Sequence, residues 1–240
     1  MDSLSRSSYI LGESNLAQLK EARVIIFGVG GVGSWCCEAL VRTGVGHITI
    51  VDPDKIAVSN INRQLQATLN SVNEVKVEAL KRHLLTINRD VEIETLEKFY
   101  SSETSREFNL DSYDYVIDAI DSLQSKLDLI IHASNSKATL FSSLGAACKV
   151  DPTRVKVADI SKSFGCKLGR VVRKGLHRRN FSGKFKVVFS DELIGDCSQL
   201  EDDKQVNGSL LHITGIFGFN LASLVINDIC ENGTPLTRLR

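Results

Sequence analysis

The chain has no net charge: 29 Lys and Arg balance 29 Asp and Glu over 240 residues. No global field therefore draws the whole molecule to nucleic acid or to a membrane, although a local cluster can. Among six cysteines (Cys36, Cys37, Cys148, Cys166, Cys197 and Cys230) there is no C-x-x-C pair. That argues against paired zinc ligands and against a secreted disulfide framework, and it predicts six free thiols in a reducing compartment. The opening residues, Met1-Asp2-Ser3-Leu4-Ser5-Arg6, lack the apolar stretch of a signal peptide. The longest late apolar run, Ile213 to Ile226, is interrupted by Gly215, Gly218 and Asn220 and reads as a buried helix, not a membrane span. Neither an internal repeat nor a low-complexity linker is present. A cytoplasmic protein without membrane contact is expected, with room for one large domain or one domain and a small appendage.

What is present is an alternation of strand and helix patterns. Arg23–Phe27, His47–Val51, Val91–Thr95, Tyr113–Asp118 and Thr139–Leu144 are short apolar runs suited to buried parallel strands. Between them, Val32–Thr43, Val72–Asn88 and Ser122–Ser136 carry helical spacing. The pattern predicts an α/β fold: a Rossmann-like, doubly wound, mostly parallel sheet with helices on both faces. It changes near residue 150, which divides the chain into a nucleotide-binding domain over 1–150 and a small C-terminal extension over 151–240. In the extension, Arg154–Ile160 and Lys184–Phe189 read as strands around a basic helix or loop. Ser190–Ser209, with Asp196, Glu201, Asp202 and Asp203, reads as polar and mobile. Leu210 to about Glu231 reads as a final helix stopped by Asn232-Gly233.

Gly28-Val29-Gly30-Gly31-Val32-Gly33 follows the first strand and opens the first sheet helix. Gly28, Gly30, Gly31 and Gly33 let backbone approach a phosphate, and a helix N-terminus favours the anion. Asp52 ends the second strand, where an acidic side chain accepts hydrogen bonds from ribose hydroxyls. Both features suit NAD as well as ATP. Arg63 and Lys76 tip the reading, with Asn60 and Gln64 as neutral donors. A triphosphate that expels pyrophosphate needs fixed cations, whereas hydride transfer does not. Asp118 and Asp121 stand at a strand's C-terminal end. Asp121 can cap the following helix or offer hard oxygens to magnesium bridged by phosphates.

In combination, the glycine loop, Asp52, Asn60-x-x-Arg63-Gln64, Lys76 and Asp118-x-x-Asp121 resemble the ubiquitin-activating-enzyme-like adenylyltransferases. The resemblance implies ATP and Mg2+: Asp52 on the ribose, Arg63 and Lys76 on the phosphates and Asp121 on the metal. Ile10-Leu11-Gly12 with Arg6 ahead of it resembles the family's N-terminal arm, with Ser3 where the family has a further Arg. It implies a homodimer in which Arg6 reaches the neighbour's phosphates. Within the superfamily, Gly145-Ala-x-x-Lys149-Val-Asp151-Pro152-Thr153 and Val157-Ala-Asp159-Ile-Ser161 resemble the bacterial tRNA threonylcarbamoyladenosine dehydratases. The implied activity is ATP-dependent cyclisation of threonylcarbamoyladenosine in tRNA, with a sulfur-transfer or cysteine desulfurase system as a further partner. The alternative is adenylation of the C-terminal glycine of a ubiquitin-like or sulfur-carrier protein.

The basic residues point to nucleic acid independently. Between Ser161 and Ser190 the chain carries nine Lys and Arg and no Asp or Glu. Lys167, Arg170, Arg173, Lys174, Arg178 and Arg179 form its densest part. Such one-sided charge marks either a phosphate-backbone contact or a solvated basic face. Phe164, Phe181 and Phe185, with His177, are candidates for stacking on unpaired bases. Trp35, Cys36, Cys37, His132 and His212 read as packing or surface residues.

Overall fold

The computed structural model describes residues 3–193, 195, 197–201 and 204–233. Seven strands form the main sheet: β1 (Arg23–Phe27), β2 (His47–Val51), β3 (Glu92–Leu96), β4 (Tyr115–Asp118), β5 (Thr139–Ser143), β6 (Val155–Asp159) and β7 (Lys186–Ser190). Their spatial order is β3-β2-β1-β4-β5-β7-β6, and all pairs are parallel except β6 with β7. The helices are α1 (Ser5–Leu11), α2 (Glu13–Glu21), α3 (Gly33–Thr43), α4 (Lys76–Leu85), α5 (Leu123–Ser134), α6 (Lys167–Arg178) and α7 (Leu211–Asn232). This is the doubly wound, mostly parallel architecture that the alternation predicts. The residues after 150 add β7 and β6 to the same sheet.

The near-continuous apolar strands are explained by burial on both faces. Along β1, Val24 and Ile26 pack into one core with α3, α4 and α7, while Ile25 and Phe27 pack into the other with α5 and α6. The two-residue period of a strand sends neighbours to opposite cores. α7 is long and apolar enough to cross a membrane by composition. Its Ile213, Phe217, Leu221, Val225 and Ile229, four residues apart, are instead buried in the first core.

Three expectations need correction. The helix expected from Val72 begins only at Lys76. Asn73 takes a left-handed φ of 72° and donates its N–H to Ile56 O at 2.8 Å, and Val75 bridges to Lys55, so this backbone pairs laterally. Ser190–Ser209 contains, among the described residues, a hairpin of β8 (Ser198–Glu201) and β9 (Lys204–Asn207); Asp196, Asp202 and Asp203 lie outside the described residues. Nor are all six thiols free. Cys148 and Cys197 form a disulfide beside that hairpin, where Cys148 N–H donates to Gly208 O and Gly208 N–H to Cys197 O. Cys36, Cys37, Cys166 and Cys230 are free and buried.

Candidate adenylation site

The order of winding reverses between β1 and β4, and open α/β sheets bind ligands in the crevice beyond the strand ends at that point. The glycine loop leaves the end of β1 there, Asp52 follows β2, and Asp118 to Asp121 leave β4. Gly28 takes φ +87°, and a Cβ on it would come within 2.7 Å of Ala119 O. A Cβ on Gly33 would collide with the Gly28 carbonyl. Both glycines are therefore required by the tight turn and its close approach to the β4 turn. Gly30 faces open space apart from the Gln64 amide, 3.7 Å from where a Cβ would lie, whereas one on Gly31 would press on Arg63 and Thr214 at 3.2 Å.

The backbone of Val29 is held at both its N–H and its carbonyl. Its N–H donates to Asp52 Oδ2 at 2.9 Å, and its carbonyl accepts from Gln66 Nε2 at 2.8 Å. Asp52 is buried and also accepts the Asp54 N–H at 3.0 Å through Oδ1. Burial raises the Asp52 pKa above the ordinary carboxylate value, opposed by the Lys76 ammonium and the two backbone N–H groups. Lys76, the first residue of α4, has a buried side chain whose Nζ lies 2.7 Å from Asp54 Oδ2 and 3.8 Å from Asp52 Oδ1.

The segment from Asn60 to Gln66 lies across the loop and is tied to it. Trp35 Nε1 donates to Arg63 O at 3.0 Å; Ser34 Oγ donates to Gly30 O at 2.7 Å and accepts the Leu65 N–H at 3.3 Å. Asn62 Nδ2 donates to Ser209 O at 2.9 Å, joining the segment to the start of α7. Arg63 is half-buried, and its Nη1 donates to Ser59 O at 2.8 Å and to Asn62 Oδ1 at 2.9 Å. Burial lowers its pKa, while the negative charge of the Asp121 carboxylate raises it. The guanidinium stays charged regardless. Asn60 Oδ1 accepts the Ala57 N–H at 3.1 Å, which leaves the amide a donor's role toward a ligand. Gln64 and Gln66 are buried, and the Oε1 of each has no hydrogen-bond partner.

Asp118 and Asp121 have different surroundings. Asp118 is fully buried and paired with Lys126. Asp121 is exposed, and the residue at the N-cap of α5 is Ser122, which makes no side-chain capping bond. The Asp121 carboxylate is thus not spent on the helix. Among the described residues, no three His, Cys, Asp or Glu side chains converge on a metal position. A divalent cation beside Asp121 would therefore take its other ligands from phosphate and water, which is how magnesium is usually held.

Some expected site residues lie apart from this crevice. Arg6 is exposed on α1. Leu4, two residues earlier, packs at Gly44 beyond the C-terminal end of α3, opposite to the glycine loop. On α6, Lys167, Arg170, Lys174 and Arg178 are exposed at spacings that place them along one face. Arg173 and Arg179 are half-buried and engaged: the first donates to Ser163 Oγ, the second to Asp128 Oδ1 at 2.6 Å. Phe185 is buried in the second core and Phe181 packs on its ring, so neither is available for stacking. The apolar side of α6 needs cover, and these two rings provide it. Phe164 and His177 remain exposed.

Sequence reasoning missed Gln66, Asp54, Ser34 and Lys126. Ser34 and Gln66 are neutral polar residues whose partners are backbone atoms, and only the spacing from the glycine loop and from Arg63 hinted at them.

The profile of the ThiF family matches residues 4–237. The tRNA threonylcarbamoyladenosine dehydratase of Bacillus subtilis (strain 168) is 42% identical over 188 residues, 78% of this chain and 74% of its own length. Among solved structures, the E. coli tRNA N6-threonylcarbamoyladenosine dehydratase TcdA in complex with ATP superposes with a TM-score of 0.86 at 29% identity, over 96% of this chain and 94% of that one. By contrast, the sulfur carrier protein ThiS adenylyltransferase of B. subtilis is 36% identical over only 119 residues, 49% of this chain and 35% of its own length.

Proposed function

The chain belongs to the ThiF family, and from that premise we propose that it is an ATP-dependent enzyme that dehydrates threonylcarbamoyladenosine in tRNA. One observation carries the choice of substrate. In sequence, the likeness to two of the dehydratases extends over 98% and 90% of the chain, basic C-terminal region included, whereas the likeness to a carrier-protein adenylyltransferase stops at 49%.

The geometry suits the chemistry. ATP lies with its phosphates along Gly28–Gly33 and its ribose on Asp52. Arg63 and Lys76 offset the charge that develops as the substrate carboxylate attacks the α-phosphate and pyrophosphate leaves. The neighbouring carbamoyl group then attacks the activated carbonyl, a ring closes and AMP departs, carrying the oxygen lost as water. Because the nucleophile belongs to the same nucleoside, its effective concentration replaces an enzyme thiol. The cysteines agree with this: the four free ones are buried, and burial raises the Cys36 and Cys37 thiols. A sulfur-transfer or cysteine desulfurase partner would have to act without a thiolate from them.

Mg2+ fits at Asp121, whose exposed carboxylate is not the N-cap of α5; bound there, it would neutralise phosphate charge. The tRNA backbone lies along Lys167, Arg170, Lys174 and Arg178, with Phe164 and His177 on hand for a base. In a homodimer, Arg6 completes the partner's site. With tRNA and ATP as substrates, the reaction belongs in the cytoplasm.

The test is incubation with ATP and tRNA bearing threonylcarbamoyladenosine, followed by mass spectrometry of the nucleosides and by ATP–pyrophosphate exchange. Loss of one water from the nucleoside, and exchange that requires the modified tRNA, are expected. Exchange driven by a carrier protein and not by tRNA would overturn the assignment.

A further inference from the structure

Beneath the crevice, Asp118 Oδ2 and Lys126 Nζ pair at 2.7 Å, and neither side chain has any exposure. Removing two charges from water is costly, and an apolar pair of equal volume is often as stable or more so. The ion pair therefore needs another reason, and its hydrogen bonds supply one. Asp118 Oδ1 accepts the Ile120 N–H at 3.1 Å, and Oδ2 accepts the Ser142 hydroxyl at 2.6 Å. Lys126 Nζ also donates to Ser143 O at 2.9 Å, and its backbone N–H donates to Ser122 O at 2.9 Å. The end of β4, the end of β5 and the first turn of α5 are thereby joined through two side chains. An apolar pair would fill the space and leave Ile120 N–H and Ser143 C=O without these partners.

The joined turn, Ala119 to Ser122, has one exposed side chain, that of Asp121. Its other side is fixed to the glycine loop: Ala119 N–H donates to Phe27 O at 2.9 Å, and Gly28 packs directly on the Ala119 carbonyl. We propose that Asp118 and Lys126 are the positioning pair for Asp121, holding its turn so that the carboxylate meets a triphosphate-bound divalent cation. The inference rests on the magnesium reading of Asp121. Neither member of the pair touches ATP; both act through the turn.

The experiment compares wild type with Asp118→Asn/Lys126→Met, Ser142→Ala, Lys126→Arg and Asp121→Ala. Mn2+ binding to the enzyme loaded with a non-hydrolysable ATP analogue is followed by electron paramagnetic resonance, and backbone hydrogen exchange is read at Ile120–Ser122. In the double variant, both charges leave together and Asn keeps an acceptor for Ile120. Its Mn2+ affinity should fall about tenfold, as when outer partners of a metal site are removed. Exchange in the turn should quicken, and affinity for the analogue without metal should stay within about twofold, because the groups that hold ribose and phosphate are unchanged. Ser142→Ala changes no charge and should show a smaller loss of the same sign, which keeps the test open if the double variant does not fold. Lys126→Arg should retain more metal affinity than the double variant. If Asp121→Ala leaves Mn2+ binding unchanged, the magnesium reading itself fails. If Asp121→Ala weakens it while the double variant and Ser142→Ala bind Mn2+ like wild type, the positioning role is wrong.

Discussion

Asp52 Oδ2 accepts the N–H of Val29 at 2.9 Å, so the carboxylate proposed for the ribose also fixes the backbone over which the phosphates lie. Sugar and phosphate recognition are thereby coupled through one side chain. Gln66 completes the clamp from the carbonyl side.

The first prediction follows from that coupling. Asp52→Ala should raise the ATP KM by about 10- to 100-fold, the worth of a hydrogen bond to a charged group, with a smaller effect on kcat. Burial raises the Asp52 pKa, and ribose hydroxyls need the ionised acceptor. ATP affinity should therefore decline on acidification, through a pKa above the ordinary Asp value. Calorimetric titration of ATP across a pH series checks both points. An affinity indifferent to pH, or an Asp52→Ala variant with wild-type KM, would remove the ribose role.

Lys76 and Arg63 are predicted to matter for rate. Each Ala variant should lose about 3–4 kcal/mol of transition-state stabilisation, or two to three orders of magnitude in adenylation. Lys76→Ala frees Asp54, whose side chain is 63% exposed and open to water, and leaves the buried Asp52 its two backbone N–H partners, so the fold should survive. Pyrophosphate exchange beside circular dichroism measures this, and near-wild-type exchange in both folded variants would defeat the assignment.

The sheet was legible because burial on two faces writes continuous apolar runs, and the glycine loop because its backbone admits no side chain at Gly28 or Gly33. Asp118 was legible as a carboxylate at a strand end, but its partner was not. Lys126 sits in α5 like any helical lysine, and only the fold shows that its stem runs inward to Asp118 and Ser143. The same blindness applies to Arg173 and Arg179. Their charge reads as part of a basic run, while their partners, Ser163 and Asp128, are brought close by packing. The boundary of α4 was misplaced because the left-handed φ of Asn73 leaves no trace in hydrophobic periodicity.

Arg6 supports a prediction about assembly. In its own chain the N-terminal arm packs beyond the far end of α3, so any role for Arg6 in adenylation has to be played in a partner's site. Mixing Arg6→Ala and Lys76→Ala subunits gives heterodimers in about half of the dimers, each with one intact site of two under two-fold symmetry. About a quarter of wild-type activity should return on that count, while each variant alone stays nearly inactive. An active monomer in a sedimentation experiment would end the idea.

The basic helix yields the last prediction, and the structure divides its charges into two sets with different expected behaviour. Lys167, Arg170, Lys174 and Arg178 are exposed along one face of α6. Arg173 and Arg179 hold neighbouring elements through Ser163 and Asp128. Replacing the four exposed residues by Ser should weaken tRNA binding and flatten its dependence on salt, by about 0.7 to 0.9 in the log–log slope for each phosphate no longer neutralised. ATP affinity should not change, because none of the four adjoins the glycine loop. Replacing Arg173 and Arg179 by Ser should instead lower the melting temperature, because each gives up a half-buried hydrogen bond, and should leave the salt slope nearly as it was. Fluorescence anisotropy of labelled tRNA over a salt series, with thermal melts of the same proteins, separates the two sets. If the four-residue variant keeps the wild-type slope, the face is merely solvated and tRNA docks elsewhere. If the Arg173 and Arg179 variant flattens the slope without loss of stability, the division made by the hydrogen bonds is wrong.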